Sequence, residues 1–149
     1  MGNESDRWVK NRCYIDGQWV EAKDGTFIEV RNPADGSVVV SIPRLGPAEV
    51  EDAVAAAQTA FAGWRKKTAK ERAAVLRRWH DLVMAHQEEL ARLMTREQGK
   101  PLAEAMGEIA YAAAFIEWFA EEGKRVYGDV VPTHQNDSRI LVLKQPVGV

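Results

Sequence analysis

Residues capable of chemistry are present in this sequence, but their spacing sets most of them aside. Glu104 and Glu108 stand four apart, as do Glu117 and Glu121, so each pair would share one face of a helix. Paired carboxylates can bind a cation or exchange a proton, but no Glu-x-x-His partner accompanies either pair. Solvated helix faces are the better reading. His80, His86 and His134 share no metal-ligand spacing and read as surface or packing residues. Cys13 has no histidine or other base beside it at a recognisable distance, so it is not taken as a nucleophile. No G-x-G-x-x-G occurs. Gly99-Lys100-Pro101 lacks both the upstream glycine and the Ser/Thr of a phosphate loop. No residue of this chain is therefore assigned as catalytic or cofactor-binding.

The chain has 149 residues, enough for one ordinary domain with its own core. Hydrophobic residues at 46% and charged residues at 28% fit a water-soluble globular protein. A net charge of −2 supplies no basic field for nucleic acid. Arg72, Arg77 and Arg78 cluster locally, but at helical spacing among apolar residues, as on a solvated helix face. The longest apolar stretch, Ile109 to Ala120, contains Glu117 and is too short to cross a bilayer. A single cysteine excludes an intrachain disulfide and suits a reducing, cytoplasmic compartment. Residues 1–12 are polar apart from Trp8, carry no apolar secretory core, and are expected to be flexible. Residues 13–149 are expected to carry the fold.

The elements that must position everything else follow from turn chemistry and periodicity. Asp16-Gly17 between Cys13–Ile15 and Gln18–Val20 is a two-residue hairpin signal. Phe27, Ile28 and Val30 suit a strand, the Asn32-to-Gly36 cluster a turn, and Val38 to Pro43 another strand. The first third thus reads as a small antiparallel β-meander, about two hairpins long, that needs a surface to lie against. At Leu45-Gly46-Pro47 the period changes from two to nearly four. Pro47 suits the first helical position and Glu49 the positive helix end. Val50, Val54, Ala57 and Phe61 then share a face. Thr68 with Glu71 forms a capping box for a second helix, and a break near His86 separates it from a third. Gly99 supplies a left-handed stop and Pro101 a restart. The last helix, about Leu102 to Val126, places Leu102, Met106, Ile109 and Ile116 on one side and Tyr111, Phe115 and Trp118 on another. A helix so apolar around its circumference expects a second surface from elsewhere. A terminal strand or hairpin follows, and Val147-Gly148-Val149 is a poor end for a finished domain.

In this order and spacing, Tyr14 to Val20, Asn32 to Gly36, Glu97 to Pro101 and Lys144 to Val149 resemble the amino-terminal region of the aldehyde dehydrogenase superfamily. The resemblance runs from about Tyr14 to the end. Thr68 to Arg72, Gln98 to Ala105 and Phe115 to Arg125 look most like its succinate-semialdehyde dehydrogenase branch, with glutarate semialdehyde a related substrate. The fold implied is α/β: the amino-terminal portion of that fold, with a β-meander, three to four helices and a terminal hairpin or strand. The resemblance implies NADP or NAD as cofactor of the full-length family, a small aldehyde as substrate, a homo-oligomer (dimer or tetramer) when complete, and no nucleic-acid or membrane partner. The family's nucleophilic cysteine, general-base glutamate and cofactor-phosphate site belong to a part absent here, so this chain alone is expected to be inactive and to bind no cofactor. Tyr111 and Phe115 are expected either to pack in the core or to line the family's aldehyde tunnel. Glu97 with the backbone at Val30 resembles the structural monovalent-cation site of some relatives. The competing expectation, from another class, is a free-standing α-rich module that grips a partner with its aromatic helix.

Overall fold

The computed structural model describes residues 7–149. Two β-hairpins come first: β1 (Cys13–Ile15) with β2 (Gln18–Val20), and β3 (Phe27–Arg31) with β4 (Val38–Pro43). Four helices follow, α1 (Pro47–Trp64), α2 (Ala69–Ala85), α3 (Gln87–Gln98) and α4 (Leu102–Glu122). A last hairpin joins β5 (Asp129–Val131) to β6 (Ile140–Val142). The three hairpins are separate two-stranded sheets, so β2 and β3 are not paired into a continuous meander. The Ala22-to-Gly25 turn, closed by Gly25 N–H donating to the Ala22 carbonyl (3.0 Å), redirects the chain between them.

Local chemistry explains most boundaries. Asp16 and Gly17 both adopt positive φ (49° and 76°), as a tight mirror-image turn requires. At the start of α2, the Thr68 hydroxyl accepts from Glu71 N–H (3.2 Å), while Glu71 Oε2 accepts from Thr68 N–H (2.7 Å). His86 leaves helical geometry (φ −116°, ψ 22°) and divides α2 from α3. α4 ends at Glu122, short of the Val126 expected from the apolar pattern. The chain turns at Gly123, whose N–H still reaches the Phe119 carbonyl.

Glu49 shows how the hairpins are tied to the helices. It is buried; Oε1 accepts from Lys23 N–H and Oε2 from Gly46 N–H, both at 2.9 Å. The Lys23 ammonium also reaches Asp52 (2.6 Å). The donated Lys23 N–H, foremost, and the Gly46 N–H hold the Glu49 carboxyl below its ordinary value of 4.5. Because the folded-state value is depressed, this stabilisation is present above 4.5 and is lost as pH falls through the lower folded value. Glu49→Gln is therefore expected to lower Tm at neutral pH and to flatten the acid limb of the Tm–pH curve. An acid limb identical to that of the parent would contradict this role.

The helical interior is built from small residues. Ala73, Ala91, Ala105, Ala113 and Ala120 are buried where α4 packs on α2 and α3. Among the described residues, no Val, Leu, Ile, Met or aromatic side chain is fully buried. The accessible surface is 11248 Å², whereas a compact protein of 16.6 kDa would expose about 7,600 Å². The excess is roughly twice the total surface buried in an ordinary protein–protein interface, ~1,600 Å². Faces that the sequence patterns as apolar are left open.

Candidate functional site

An aromatic face is left open on α4. At 100° per residue, Ala105, Ala113 and Ala120 cluster on one side of that helix and are buried against α2 and α3. Leu102, Met106, Ile109 and Ile116 flank them and are half-buried. Tyr111, Phe115 and Trp118 fall roughly opposite, with Phe119 beside them. These four rings are 49–66% exposed. With Ala114 they line a shallow cavity of about 290 Å³. The Tyr111 and Phe115 rings meet edge to face at 4.9 Å and 84°, a favourable aromatic geometry that gives the face a defined shape. The lining contains no carboxylate, amine, thiol or imidazole. The face can exclude water, and its polar side-chain groups are the Tyr111 hydroxyl and the Trp118 indole N–H.

Three of the four carboxylates flagged by their spacing, Glu108, Glu117 and Glu121, are ion-paired to basic side chains. Arg77 of α2 donates through Nη1 to Glu117 (2.6 Å) and through Nη2 to Glu121 (3.2 Å), joining α2 to α4. Lys124 also reaches Glu121 (3.1 Å). Lys124, foremost, and Arg77 hold the Glu121 carboxyl below the usual carboxylate range. An acid–base role would call for a raised carboxyl in an enclosed site; here the pair is an exposed ionic staple. Glu108 pairs with Lys100, and His80 contacts Asp81 at 3.0 Å. Among the described residues, no three His, Cys, Asp or Glu side chains gather where they could hold a metal. Cys13 sits half-exposed in β1.

Val30 and Glu97 lie on neighbouring elements. α3 packs on β3, and Gly99, two residues after Glu97, approaches Pro33 so closely that a Cβ there would stand 2.8 Å from the ring. Val30 is half-buried and Glu97 exposed.

A second cavity, of about 460 Å³, was not legible in the sequence. Phe61, Trp64 and Arg65 from the end of α1 meet Arg72 of α2 and Lys144 near the carboxyl end. Arg65 lies over the Phe61 ring at 5.5 Å, and Arg72 Nη1 donates to the Lys67 carbonyl (2.6 Å). Val149 lies beside it, against Ala57, Phe61 and Trp64. These residues come from segments more than eighty positions apart, so no local pattern announces them. No helix among the described residues is long and apolar enough to cross a membrane.

Comparison with known proteins places this geometry. Residues 19–149 match the aldehyde dehydrogenase family. The chain is 59% identical over 140 residues to glutarate-semialdehyde dehydrogenase of Pseudomonas aeruginosa, covering 94% of this chain and 29% of that enzyme. It is 57% identical to the NADP-dependent succinate-semialdehyde dehydrogenase of Escherichia coli, with the same two coverages. The crystal structure of succinate-semialdehyde dehydrogenase from Burkholderia pseudomallei superposes with a TM-score of 0.93 at 56% identity, covering 95% of this chain and 30% of that one. The chain thus spans under a third of the length of these relatives, and its hairpins and four helices follow the amino-terminal part of their fold. On the family match and the shared fold together, this chain belongs to the aldehyde dehydrogenase family.

Proposed function

We propose that this chain is the amino-terminal scaffold of an NAD(P)-dependent semialdehyde dehydrogenase acting on succinate or glutarate semialdehyde. The observation that carries the proposal is the uncovered aromatic face of α4 in a chain spanning 29% of such enzymes. In a complete enzyme an aldehyde would be oxidised to the acid, with NADP or NAD accepting the hydride. This chain would contribute position and shape rather than a nucleophile. Tyr111 and Phe115 would form part of the wall of the aldehyde's path, where apolar rings keep water out and limit substrate size. The exposed Val130, Val131, Ile140 and Val142 of the β5–β6 hairpin would join a sheet between subunits of a homo-oligomer. The packing of β3 on α3 would allow the Val30 carbonyl and the Glu97 carboxylate to share a monovalent cation, both being hard oxygen donors.

A chimaera tests the reading. This chain would replace the matching amino-terminal part of the Escherichia coli relative, and NADPH formation from succinate semialdehyde would be followed. The chain alone is expected to give no turnover and the chimaera to be active. In the chimaera, Tyr111→Ala with Phe115→Ala is expected to raise KM about tenfold, near 1.4 kcal/mol of lost binding, with a smaller change in kcat. Robust turnover by the chain alone, or an unchanged KM in the double variant, would overturn the corresponding part of the proposal.

A further inference from the structure

The corner between α1 and α2 gathers positive charge that its surroundings do not neutralise. Arg65, Lys66, Lys67, Lys70 and Arg72 fall within eight residues. Glu71, the one acid among them, lies in the capping box, its Oε2 accepting from the Thr68 N–H (2.7 Å) and hydroxyl (2.8 Å). Several cations elsewhere are paired: Lys23 with Asp52, Arg77 with Glu117 and Glu121, Arg92 with Glu88, Arg125 with Glu122. Among the described residues, no carboxylate forms an ion pair with Arg65, Arg72 or Lys144. These three meet at one cavity, of about 460 Å³, beside Phe61, Trp64 and Gln145, and no acidic side chain lines it. Two of the three are steadied without losing their charge. Arg65 lies over the Phe61 ring at 5.5 Å, a contact that attracts a cation but does not neutralise it. Arg72 donates through Nη1 to the Lys67 carbonyl (2.6 Å), which engages one of its two terminal nitrogens and leaves the other free to donate.

We propose that this cavity binds an organic phosphate carried on a planar ring, of the nucleoside monophosphate class. A phosphate monoester brings about two negative charges and three acceptor oxygens near neutral pH. The forked N–H groups of Arg65 and Arg72 match such oxygens in shape as well as charge. Lys144 adds an ammonium, and the Gln145 amide can donate to a further oxygen. The ring half of the ligand has its own partner. Trp64 lines the cavity and is 38% exposed, so its indole is open to a stacked ring. The volume falls in the range of roughly 300–1,000 Å³ usual for small-molecule sites. A small anion suits the cluster better than a polyanion. The three cations converge on a single concavity, and a net charge of −2 supplies no extended basic track for a nucleic-acid strand. The site takes part in no reaction and does not depend on the function proposed above.

Isothermal titration calorimetry of the 149-residue chain with AMP, adenosine and inorganic phosphate tests it. In ~50 mM NaCl, AMP is expected to bind with Kd below ~1 mM, about tenfold or more tighter than either half alone. Raising NaCl to ~300 mM should weaken that binding several-fold. Arg65→Gln with Lys144→Gln removes two cavity cations whose side chains are exposed, and should cost AMP about tenfold in affinity. Lys66→Gln with Lys70→Gln removes the same charge from outside the cavity lining and should change it by less than about twofold. The comparison of the three ligands needs no variant, so it stands even if one fails to fold. Absence of saturable AMP binding up to ~5 mM overturns the site. So does an equal loss in the two double variants, which would mean a diffuse field, or inorganic phosphate binding as tightly as AMP. An octathymidylate strand binding about a hundredfold tighter than AMP would also overturn it, assigning the corner to nucleic acid.

Discussion

Ala113→Leu is expected to destabilise the chain by about 1–3 kcal/mol or more, the ordinary cost of forcing extra methylenes into a packed seam. Ala113 has no accessible surface and lies where α4 meets its neighbouring helices. With Ala73, Ala91, Ala105 and Ala120 it forms an interior of methyl groups, where protein interiors are close-packed and extra volume is felt. The adjoining Ala114 is the control. It is exposed on the aromatic side of the same helix, and alanine and leucine are both strong helix formers. Ala114→Leu should therefore shift stability by less than ~0.5 kcal/mol. Urea unfolding followed by circular dichroism separates the two. A common midpoint for both variants would mean that the seam is loose and that the alanines do not set the helix spacing. The stakes are large relative to a total stability of roughly 5–15 kcal/mol for an ordinary domain. They are larger still in a chain that leaves Val50, Val54, Trp79 and Leu82 exposed.

The same alanines show why part of this structure was legible in the sequence and part was not. Signals confined to a few consecutive residues were decisive. Asp16-Gly17 set a hairpin, Thr68 with Glu71 began α2, and Gly99 with Pro101 turned the corner into α4, because each acts on its own or an adjacent stretch of backbone. The sidedness of α4 was also legible, since its aromatic and aliphatic stripes recur at helical spacing. Contacts between distant residues were not. Glu49 could be read as an acid at a helix start, but its bond to Lys23 N–H depends on how a hairpin turns 26 residues earlier. Arg77, which resembled one more solvated cation, bridges two carboxylates 40 and 44 residues away. Arg7 and Trp8 fell in a stretch expected to be loose, of which residues 1–6 lie outside the described residues, yet they reach Glu89.

The candidate site divides along the same line. Tyr111 and Phe115 could be placed on one face of α4 by counting residues, and their rings do meet there. What that face does depends on what covers it, and a helix pattern carries no information about a surface supplied by other residues. An apolar stripe under solvent and the same stripe under a second layer are identical as sequence. The excess of exposed surface separates them. A polar helix left open gains nothing from a cover, whereas burying these rings would remove apolar area at about 25 cal/mol per Å².

Gly99→Ala is expected to cost about 2–4 kcal/mol, from two separable causes. The first is backbone. Gly99 holds φ 77° and ψ 9° as the left-handed end of α3, with its N–H donating to the Thr95 carbonyl (2.8 Å). An L-residue is strained there by about 1–2 kcal/mol. The second is contact, because the added Cβ would stand 2.8 Å from Pro33 Cγ, inside van der Waals distance of a rigid ring. Gly36→Ala isolates the first cause: φ there is 74° and nothing lies within 4 Å of the added methyl, so only the ~1–2 kcal/mol of strain applies. Pro33→Ala combined with Gly99→Ala isolates the second. Removing the ring relieves the clash, so the double variant should be more stable than the sum of the single changes by about 1 kcal/mol. Urea midpoints for the four proteins and the parent complete the cycle. Equal losses in Gly99→Ala and Gly36→Ala, with no coupling to Pro33, would mean that the corner does not press on the β3–β4 turn.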